Sequence, residues 1–323
     1  MKHYTFVDYA TQGYMAVVAL LILLFHGDRV GIWPWLLAGH VVGMAVAHAL
    51  VQLHTRRPAN GVISFLRHFY PVIFYVGFYR ETGELNHMFT PAYLDPVFVK
   101  LEQALFGGQP SVEFMPTLPW WPVSELLYAS YFSYYVMIVG VGVALYCRDR
   151  RQFFHYVSVV SFVFYVCYLI YIFTPVMGPR VFHRSINGYE LPPDVQPETV
   201  VEFPAAVQAG WFFRVMGWIY DTFEAPGAAF PSSHVTVAIT TAWFSFRYLP
   251  RIRHFHLLMV ILLCISTVYG RYHYAVDVLA GAMTAGILVP LGNRLYWGLR
   301  TATEVEAASA DAPKTGVVQT SRS

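Results

Sequence analysis

The chain has 323 residues, of which 56% are hydrophobic and only 12% are charged, and its mean hydropathy is +0.46. Soluble domains contain about 25% charged residues, so this composition excludes a single water-soluble domain and indicates an integral membrane protein. The net charge of +2 is too small to favour a nucleic-acid partner.

Eight apolar segments predict the spans of an all-α polytopic membrane protein, because a bilayer core about 30 Å thick needs about 20 mostly apolar residues per helix. We expect two N-terminal helices in 1–61, a six-helix core in 62–300 and a disordered cytoplasmic tail in 301–323. In chain order the eight segments lie near 12–26, 32–53, 62–79, 123–146, 155–175, 231–248, 255–271 and 274–297.

Arginines follow the second, fourth, sixth and eighth predicted spans, and a chain with eight spans places all of them on one side. Positively charged loops mark the cytoplasmic side of a membrane protein. We therefore predict that both termini are cytoplasmic, in a plasma or inner membrane. Two long connections, 80–122 and 176–230, then lie on the extracytoplasmic side. The arginines are Arg56, Arg57, Arg148, Arg150, Arg151, Arg247, Arg251, Arg253, Arg294 and Arg300.

Three short polar segments lie at the ends of predicted spans. They are TPVMGPR at 174–180, PSSH at 231–234 and STVYGRYHYAVD at 266–277. The predicted topology brings all three to the extracytoplasmic surface, although they are distant in the chain. Ionisable groups are costly near a membrane, so their convergence at one depth predicts a functional site.

The spacing of His273 and Asp277 suits a catalytic histidine. Residues four apart share one face of a helix, so the carboxylate can accept a proton from one imidazole nitrogen and leave the other free as a nucleophile. His234 follows Pro231 at a predicted helix N-terminus, where unpaired N–H groups favour an anion. We interpret these three residues as candidate catalytic groups.

Four further residues are candidates for binding phosphate. Arg180 and Arg271 supply planar guanidinium groups that match phosphate oxygens. Ser232 and Ser233 add hydroxyl donors beside His234. Together with the two histidines and the acid, they predict phosphoryl transfer through a covalent histidine, with the second histidine protonating the leaving oxygen.

These segments resemble the signature of the type 2 phosphatidic acid phosphatase superfamily, which reads K-x6-R-P, P-S-G-H and S-R-x5-H-x3-D. The resemblance implies that His273 is the nucleophile, that Asp277 orients it and that His234 is the acid/base. It also implies that Arg180 binds phosphate and that no metal or other cofactor is needed. It covers about 155–297.

The sequence departs from the signature at three positions. Phe173 stands where the first lysine is expected, Val181 where proline is expected and Thr267 where the last arginine is expected. We predict that Arg271 replaces the last arginine, because four residues along a continuing helix it reaches the face of Thr267. The missing lysine has only His183 and Arg184 as candidates for its replacement.

The degenerate pattern RYHYxxD, together with 79–111, is similar to the inositolphosphotransferase branch of the superfamily, which includes fungal inositol phosphorylceramide synthase. That similarity leaves two reactions open. A phosphatase hydrolyses a lipid phosphate, and a transferase passes a phospho-headgroup to an acceptor such as a polyol in sphingolipid or glycolipid synthesis. A non-catalytic lipid-binding or transport protein is the alternative outside enzymes.

Polar residues outside the three segments have simpler interpretations. His40 and His48 in the second span are expected to form hydrogen bonds between helices. The group Arg80, Glu81, Glu84, Asn86 and His87 lies on the predicted active side. It either binds a headgroup or acceptor or, as we favour, forms a solvated loop joined by salt bridges.

Overall fold

The computed structural model describes residues 3–182 and 202–299. Their regular secondary structure is helical, with one isolated β-bridge between Val176 and Ala228. The helices are α1 (Phe6–Phe25), α2 (Trp33–Arg56), α3 (Gly61–Leu85), α4 (Asp95–Phe106), α5 (Pro110–Thr117), α6 (Trp121–Arg148), α7 (Arg150–Phe173), α8 (Pro179–Phe182), α9 (Ala205–Gln208), α10 (Trp211–Phe223), α11 (Ser233–Tyr248), α12 (Arg253–Tyr269) and α13 (Ala275–Gly298), with a 3₁₀ turn at Gly27–Arg29.

The all-α polytopic fold is confirmed. Each of the eight predicted spans corresponds to a helix: α1, α2, α3, α6, α7, α11, α12 and α13. By length and composition, six of these are long and apolar enough to cross a membrane, and α12 is a shorter apolar helix of 17 residues. The 16-residue α11 is shorter still, and it buries Thr236, Thr240, Thr241 and Ser245 instead of a continuous apolar surface.

Helix α7 forms the centre of the bundle. It packs against α1, α3, α6, α11 and α13, and its apolar window is the most buried of the six candidate spans. Large apolar side chains on the outer helices are exposed instead, among them Leu24, Val136, Met283 and Ile287. Such an exposed apolar surface is suited to lipid.

The bundle has two chemically different ends. At one end His155 of α7 contacts Tyr248 of α11 and Asn293 of α13, and Arg148 donates to the Tyr248 carbonyl. At the other end α7 finishes and α11 and α13 begin. All three polar segments identified in the sequence therefore meet at this second end.

The two long connections are more ordered than the sequence suggested. Residues 80–122, predicted as a polar connection, include the last turns of α3 and the helices α4 and α5. Helix α4 packs on α13, and α5 packs on α12. In 176–230 the described residues include α8, α9 and α10. The predicted disordered tail, 301–323, lies outside the described residues.

Candidate active site

The two candidate histidines lie in contact. His273 Nε2 is 3.3 Å from His234 Nδ1, although 39 residues separate them in the sequence. The His234 ring is enclosed by Tyr131 and Tyr134, whose ring centroids are 5.0 and 4.7 Å away. His273 is only 4% exposed. The fold thus brings together the two imidazoles that the sequence predicted to act on one phosphate.

Asp277 lies behind His273, on the side away from His234. Its Oδ2 is 3.5 Å from His273 Nδ1 and accepts a hydrogen bond of 2.9 Å from the Tyr274 backbone N–H. Because Nδ1 faces the carboxylate, Nε2 is the nitrogen left for reaction. This arrangement agrees with the orienting role predicted for the acid.

The start of α11 is fixed by its serines. Ser232 is the N-cap of the helix, since its side chain accepts a hydrogen bond from Val235 N–H. Its backbone N–H donates to the Asp277 carbonyl at 3.3 Å. Ser233 N–H donates to the Tyr171 hydroxyl. The two serines therefore position His234, and a hydroxyl contact with phosphate remains a prediction.

Arg180 lies in a buried aromatic cage. It is 5% exposed, and its Cζ is 5.0 Å from the ring centroids of both Phe203 and Tyr272 and 5.2 Å from that of Tyr220. Its Nη1 atom is buried and has no hydrogen-bond partner among residues 3–182 and 202–299. A buried guanidinium normally pairs with an anion, so this atom marks a place for one.

The loop that carries Arg180 lies directly against the loop that carries His273. Gly178 has a φ of +90°, and a Cβ at this position would be 2.7 Å from the Tyr272 carbonyl oxygen. Both the conformation and the close approach require glycine. This contact joins the first and third polar segments beside the histidine pair.

Arg271 reaches the site by a route different from the predicted one. Helix α12 ends at Tyr269, so Arg271 is not on the helical face of Thr267 as we had expected. It adopts the left-handed region with a φ of 62°, which is unfavourable for a non-glycine residue and concentrates at functional sites. Its Cζ lies 4.9 Å from the Phe203 ring centroid, so both arginines contact the same ring.

Two buried carboxylates of α4 support the site, and the sequence interpretation missed both. Asp95 accepts hydrogen bonds from Met177 N–H and Gly178 N–H at 2.9 Å and from the Tyr274 hydroxyl at 3.0 Å. Burial raises the pKa of Asp95 to about 6, and the N–H donors oppose that rise. The carboxylate is therefore mostly ionised at neutral pH, and it binds the Arg180 loop to the residue next to His273.

Glu102, also on α4, binds the start of α13 in a similar way. It is fully buried, and it accepts hydrogen bonds from Ala275 N–H at 2.7 Å and from the Ser111 hydroxyl at 2.5 Å. Negative groups are favourable at a helix N-terminus. The sequence signal for both carboxylates was present but weak: two acidic residues seven apart in a segment interpreted as a loop.

The departures from the signature have a partial structural explanation. Phe173, at the expected lysine position, is 44% exposed and stacks on Phe89 at 4.5 Å between ring centroids. The side chain at position 173 therefore does not form part of the aromatic cage around Arg180. His183 and Arg184, the candidates for its replacement, lie outside the described residues.

His273 is electrostatically suited to nucleophilic attack. Burial lowers the pKa of His273 to about 4 because it disfavours the charged imidazolium, and a hydrogen bond with the Ala229 backbone partly opposes this effect. The imidazole is neutral at pH 7. A neutral ring keeps the lone pair that attack on phosphorus requires.

Comparisons with known proteins identify the family of the chain. The family model of the PAP2 superfamily matches residues 98–291, more than half of the chain. A PA-phosphatase related-family protein of Dictyostelium discoideum is 26% identical over 203 residues, which cover 56% of this chain and 33% of that relative. No solved structure matches the chain significantly.

The chain thus spans about one third of the length of the curated relative that it matches. Both matches are made at the level of the superfamily, so the inositolphosphotransferase branch stays a prediction. The match to the family model includes α11, α12, α13 and the histidine pair. The chain belongs to the PAP2 superfamily.

Proposed function

We propose that this protein is a membrane lipid phosphate phosphatase or phosphotransferase that acts through a phosphohistidine. The observation that carries the proposal is the contact between His273 Nε2 and His234 Nδ1, with the Asp277 carboxylate on the far side of the His273 ring. The buried guanidinium of Arg180 supplies the charge that a phosphate needs.

The first step forms a bond between His273 Nε2 and phosphorus while the bond from phosphorus to the lipid oxygen breaks. The two rings are too close to hold a phosphate between them, so they separate slightly when substrate binds. The negative charge of the bound phosphate favours the imidazolium form of His234, which gives one proton to the leaving oxygen and becomes neutral, while the oxygen departs as the lipid alcohol. Asp277 stabilises the proton on His273 Nδ1 and so the positive charge that develops on the ring.

The second step releases phosphorus from the enzyme. His234 now takes a proton from water or from an acceptor hydroxyl, whose oxygen attacks phosphorus. The bond from phosphorus to His273 Nε2 breaks, and the product is free phosphate or a new phosphoester. Arg180 and Arg271 bind the non-bridging oxygens in both steps, where fixed donors in a dry site act strongly.

Transfer to an acceptor such as a polyol is the second candidate, and the burial of the site favours it. His273, Arg180 and Arg271 are all at most 5% exposed, and a water-poor site reduces hydrolysis of a reactive intermediate. Under either reaction, we place the site on the extracytoplasmic side and the termini in the cytoplasm, as the arginine distribution predicts.

The test uses purified protein in nanodiscs with phosphatidic acid, isoprenoid diphosphates or a sphingolipid donor. Phosphate release and product formation are measured with and without an added polyol or ceramide. We expect His273→Ala and His234→Ala to lower turnover by a factor on the order of 10⁶, as for other covalent nucleophiles and their bases. His254→Ala, an exposed histidine at the other end of the bundle, is the control and should retain full activity.

Protein incubated with a phosphate-labelled substrate and quenched in detergent at alkaline pH should carry an alkali-stable, acid-labile label, and His273→Ala should carry none. Full activity in both histidine variants would contradict the mechanism. Lipid binding without any turnover would instead support the non-catalytic alternative.

A further inference from the structure

A second candidate site lies in the N-terminal helices, which the superfamily match does not include. A cleft of about 440 Å³ separates α2 from α3. It is lined by apolar side chains along most of its length and by ionisable ones at its end. The lining residues that matter here are Trp35, Gly39, His40, Gly77, Arg80, Glu81 and Glu84.

Two glycines keep the cleft open. A Cβ added to Gly39 or Gly77 would meet no atom within 4 Å. In contrast, a Cβ added to Gly43, one helical turn beyond Gly39, would lie 3.0 Å from the sulfur of Met15, so Gly43 is tightly packed. Glycines between membrane helices usually allow close packing. Here Gly39 and Gly77 instead leave a space that the protein does not fill.

The polar end of the cleft holds a buried ionisable pair. His40 Nε2 lies 3.2 Å from Glu81 Oε2, and the Tyr14 hydroxyl donates to Glu81 Oε1 at 3.3 Å. His40 is 3% exposed, and its Nδ1 has no hydrogen-bond partner within the described part of the chain. Ionisable residues inside membrane spans are costly and indicate function. We had expected a solvated loop at Glu81, but the structure places this residue in α3, so that expectation was wrong.

The charges of the lining select among lipid headgroups. The lining holds one arginine, Arg80, and two carboxylates, Glu81 and Glu84, so the balance of charge is negative and unfavourable for a phosphate. Carboxylates accept hydrogen bonds from hydroxyl groups, and the free His40 nitrogen offers a further polar contact. Trp35 and Ile73 are 79% and 58% exposed, which suits contact with an acyl chain along the open side of the cleft.

The cleft is connected to the active site through α3. The end of α3 contacts Pro226, since a Cβ on Gly83 would lie 3.3 Å from its ring and Asn86 Nδ2 donates to its carbonyl. In the residues that follow, the Val176 N–H donates to the Gly227 carbonyl and the Ala229 N–H donates to the Val176 carbonyl. The chain then continues into the segment at 231–234. The end of α3 therefore contacts the segment that leads into the element carrying His234.

We propose that this cleft binds a membrane lipid with an uncharged hydroxyl headgroup. Its place in the reaction rests on the proposed function: the lipid is the alcohol released by hydrolysis or the alcohol that accepts the phosphoryl group. The anionic substrate and the neutral alcohol then have separate sites, one with arginines and one with carboxylates. Binding itself does not depend on turnover.

The test measures labelling of the full-length protein in nanodiscs by a photoactivatable diacylglycerol, mapped to α2 and α3 by mass spectrometry. Gly39→Leu fills the cleft without meeting a neighbouring atom and should weaken the labelling at least about tenfold. Gly140→Leu on α6 is the matched control, because it also has open space at its Cβ. Labelling in this control should be unchanged.

Headgroup selection is tested with photoactivatable phosphatidic acid and phosphatidylcholine. The native cleft should be labelled most strongly by diacylglycerol, and Glu84→Lys, which reverses an exposed charge, should shift labelling toward phosphatidic acid. Equal labelling by all three lipids, no shift in Glu84→Lys, or undiminished labelling in Gly39→Leu would overturn the proposal. His273→Ala should label normally, so failure of the catalytic mechanism and failure of this site give different results.

Discussion

Two buried ionic clusters lie at opposite ends of the helix bundle, and they differ in how many of their polar atoms have partners within the protein. The first joins α1 to α3 through an ion pair of Asp8 and Arg67. Asp8 also accepts hydrogen bonds from the Tyr70 hydroxyl at 2.7 Å and from the Thr5 N–H and hydroxyl at 2.7 and 2.8 Å. The second is the cluster around His273.

In the first cluster, opposite charges are in contact, and both oxygens of Asp8 have donors. Only Arg67 Nη1 lacks a partner there among the described residues. In the second cluster, Asp277 Oδ1 and Arg180 Nη1 are both buried without a hydrogen-bond partner in the described ranges, and Arg180 forms no ion pair within them. Buried polar atoms are nearly always satisfied, so we infer that the first cluster serves stability and that Arg180 in the second is available for an incoming anion.

Among the variants that distinguish the two clusters, Asp277→Asn should have the largest effect on activity. Asp277 Oδ2 faces both Tyr274 N–H and His273 Nδ1, so the amide either keeps an oxygen there without the negative charge or turns a donor toward both groups. In both cases the positive charge that develops on the His273 ring is less stabilised. We expect kcat to fall about 10⁴-fold, as in other triads that lose the carboxylate, with little change in the unfolding temperature. Steady-state kinetics and thermal unfolding in detergent measure the two effects. A fall in stability with unchanged kcat would place Asp277 with the structural cluster instead.

Arg180→Ala should lower kcat/KM by about 10², the usual effect of removing one donor to a charged transition state. The exposed Arg214 on α10 supplies the control, and Arg214→Ala should change kcat/KM less than about twofold. If both variants behave alike, the aromatic cage around Arg180 does not bind substrate phosphate.

The histidine pair was predictable because its signals are local. The spacing of His273 and Asp277 and the Pro-Ser-Ser-His segment can each be recognised without knowing the rest of the fold. Alternation of the spans then places them at one end of the bundle. The superfamily resemblance rests on the same residues, and the match over residues 98–291 confirms it.

The supporting residues were not predictable in this way, because their partners are distant in the sequence. Asp95 contacts Tyr274, 179 residues away, and Glu102 contacts Ala275, 173 residues away. The position of Arg271 depends on where α12 ends, and helix ends are set by tertiary contacts as well as by local sequence. Nothing in the sequence at Arg271 indicates its left-handed backbone conformation, because arginine is not a residue type that favours it.

Asp95→Asn should have a smaller effect than changes at Asp277 or Arg180, because Asp95 positions the loops and does not contact substrate. An amide retains one acceptor but turns a donor toward either the Met177 or the Gly178 N–H group, since these two groups donate to different oxygens. We expect kcat to fall about tenfold, the effect of about 1.4 kcal/mol, with KM nearly unchanged. Glu113→Gln on α5, an exposed carboxylate, is the control. An equal loss in kcat and gain in KM would point to general loosening of the site.

The dependence of kcat/KM on pH should show a smaller effect, and it tests the cluster around His273. His273 attacks only when neutral, so protonation abolishes attack, and activity falls as pH falls through the pKa of His273. Because burial lowers that pKa to about 4, we expect kcat/KM at pH 5 to stay within about twofold of its value at pH 7. An ordinary histidine would already be mostly protonated at pH 5. An acid limb centred near pH 6.5 would show that the site is open to water.

Asp8→Ala should have the smallest effect on activity and a large one on stability. It leaves Arg67 buried without its anion, and breaking a buried ion pair in this way costs about 3–5 kcal/mol of unfolding free energy. Because Asp8 lies at the end of the bundle opposite His273, kcat per folded molecule should change less than about twofold. Unfolding in detergent, with activity normalised to the folded fraction, measures both quantities. A large loss of kcat at full stability would mean that the two ends of the bundle are coupled and that a satisfied ionic cluster also serves catalysis.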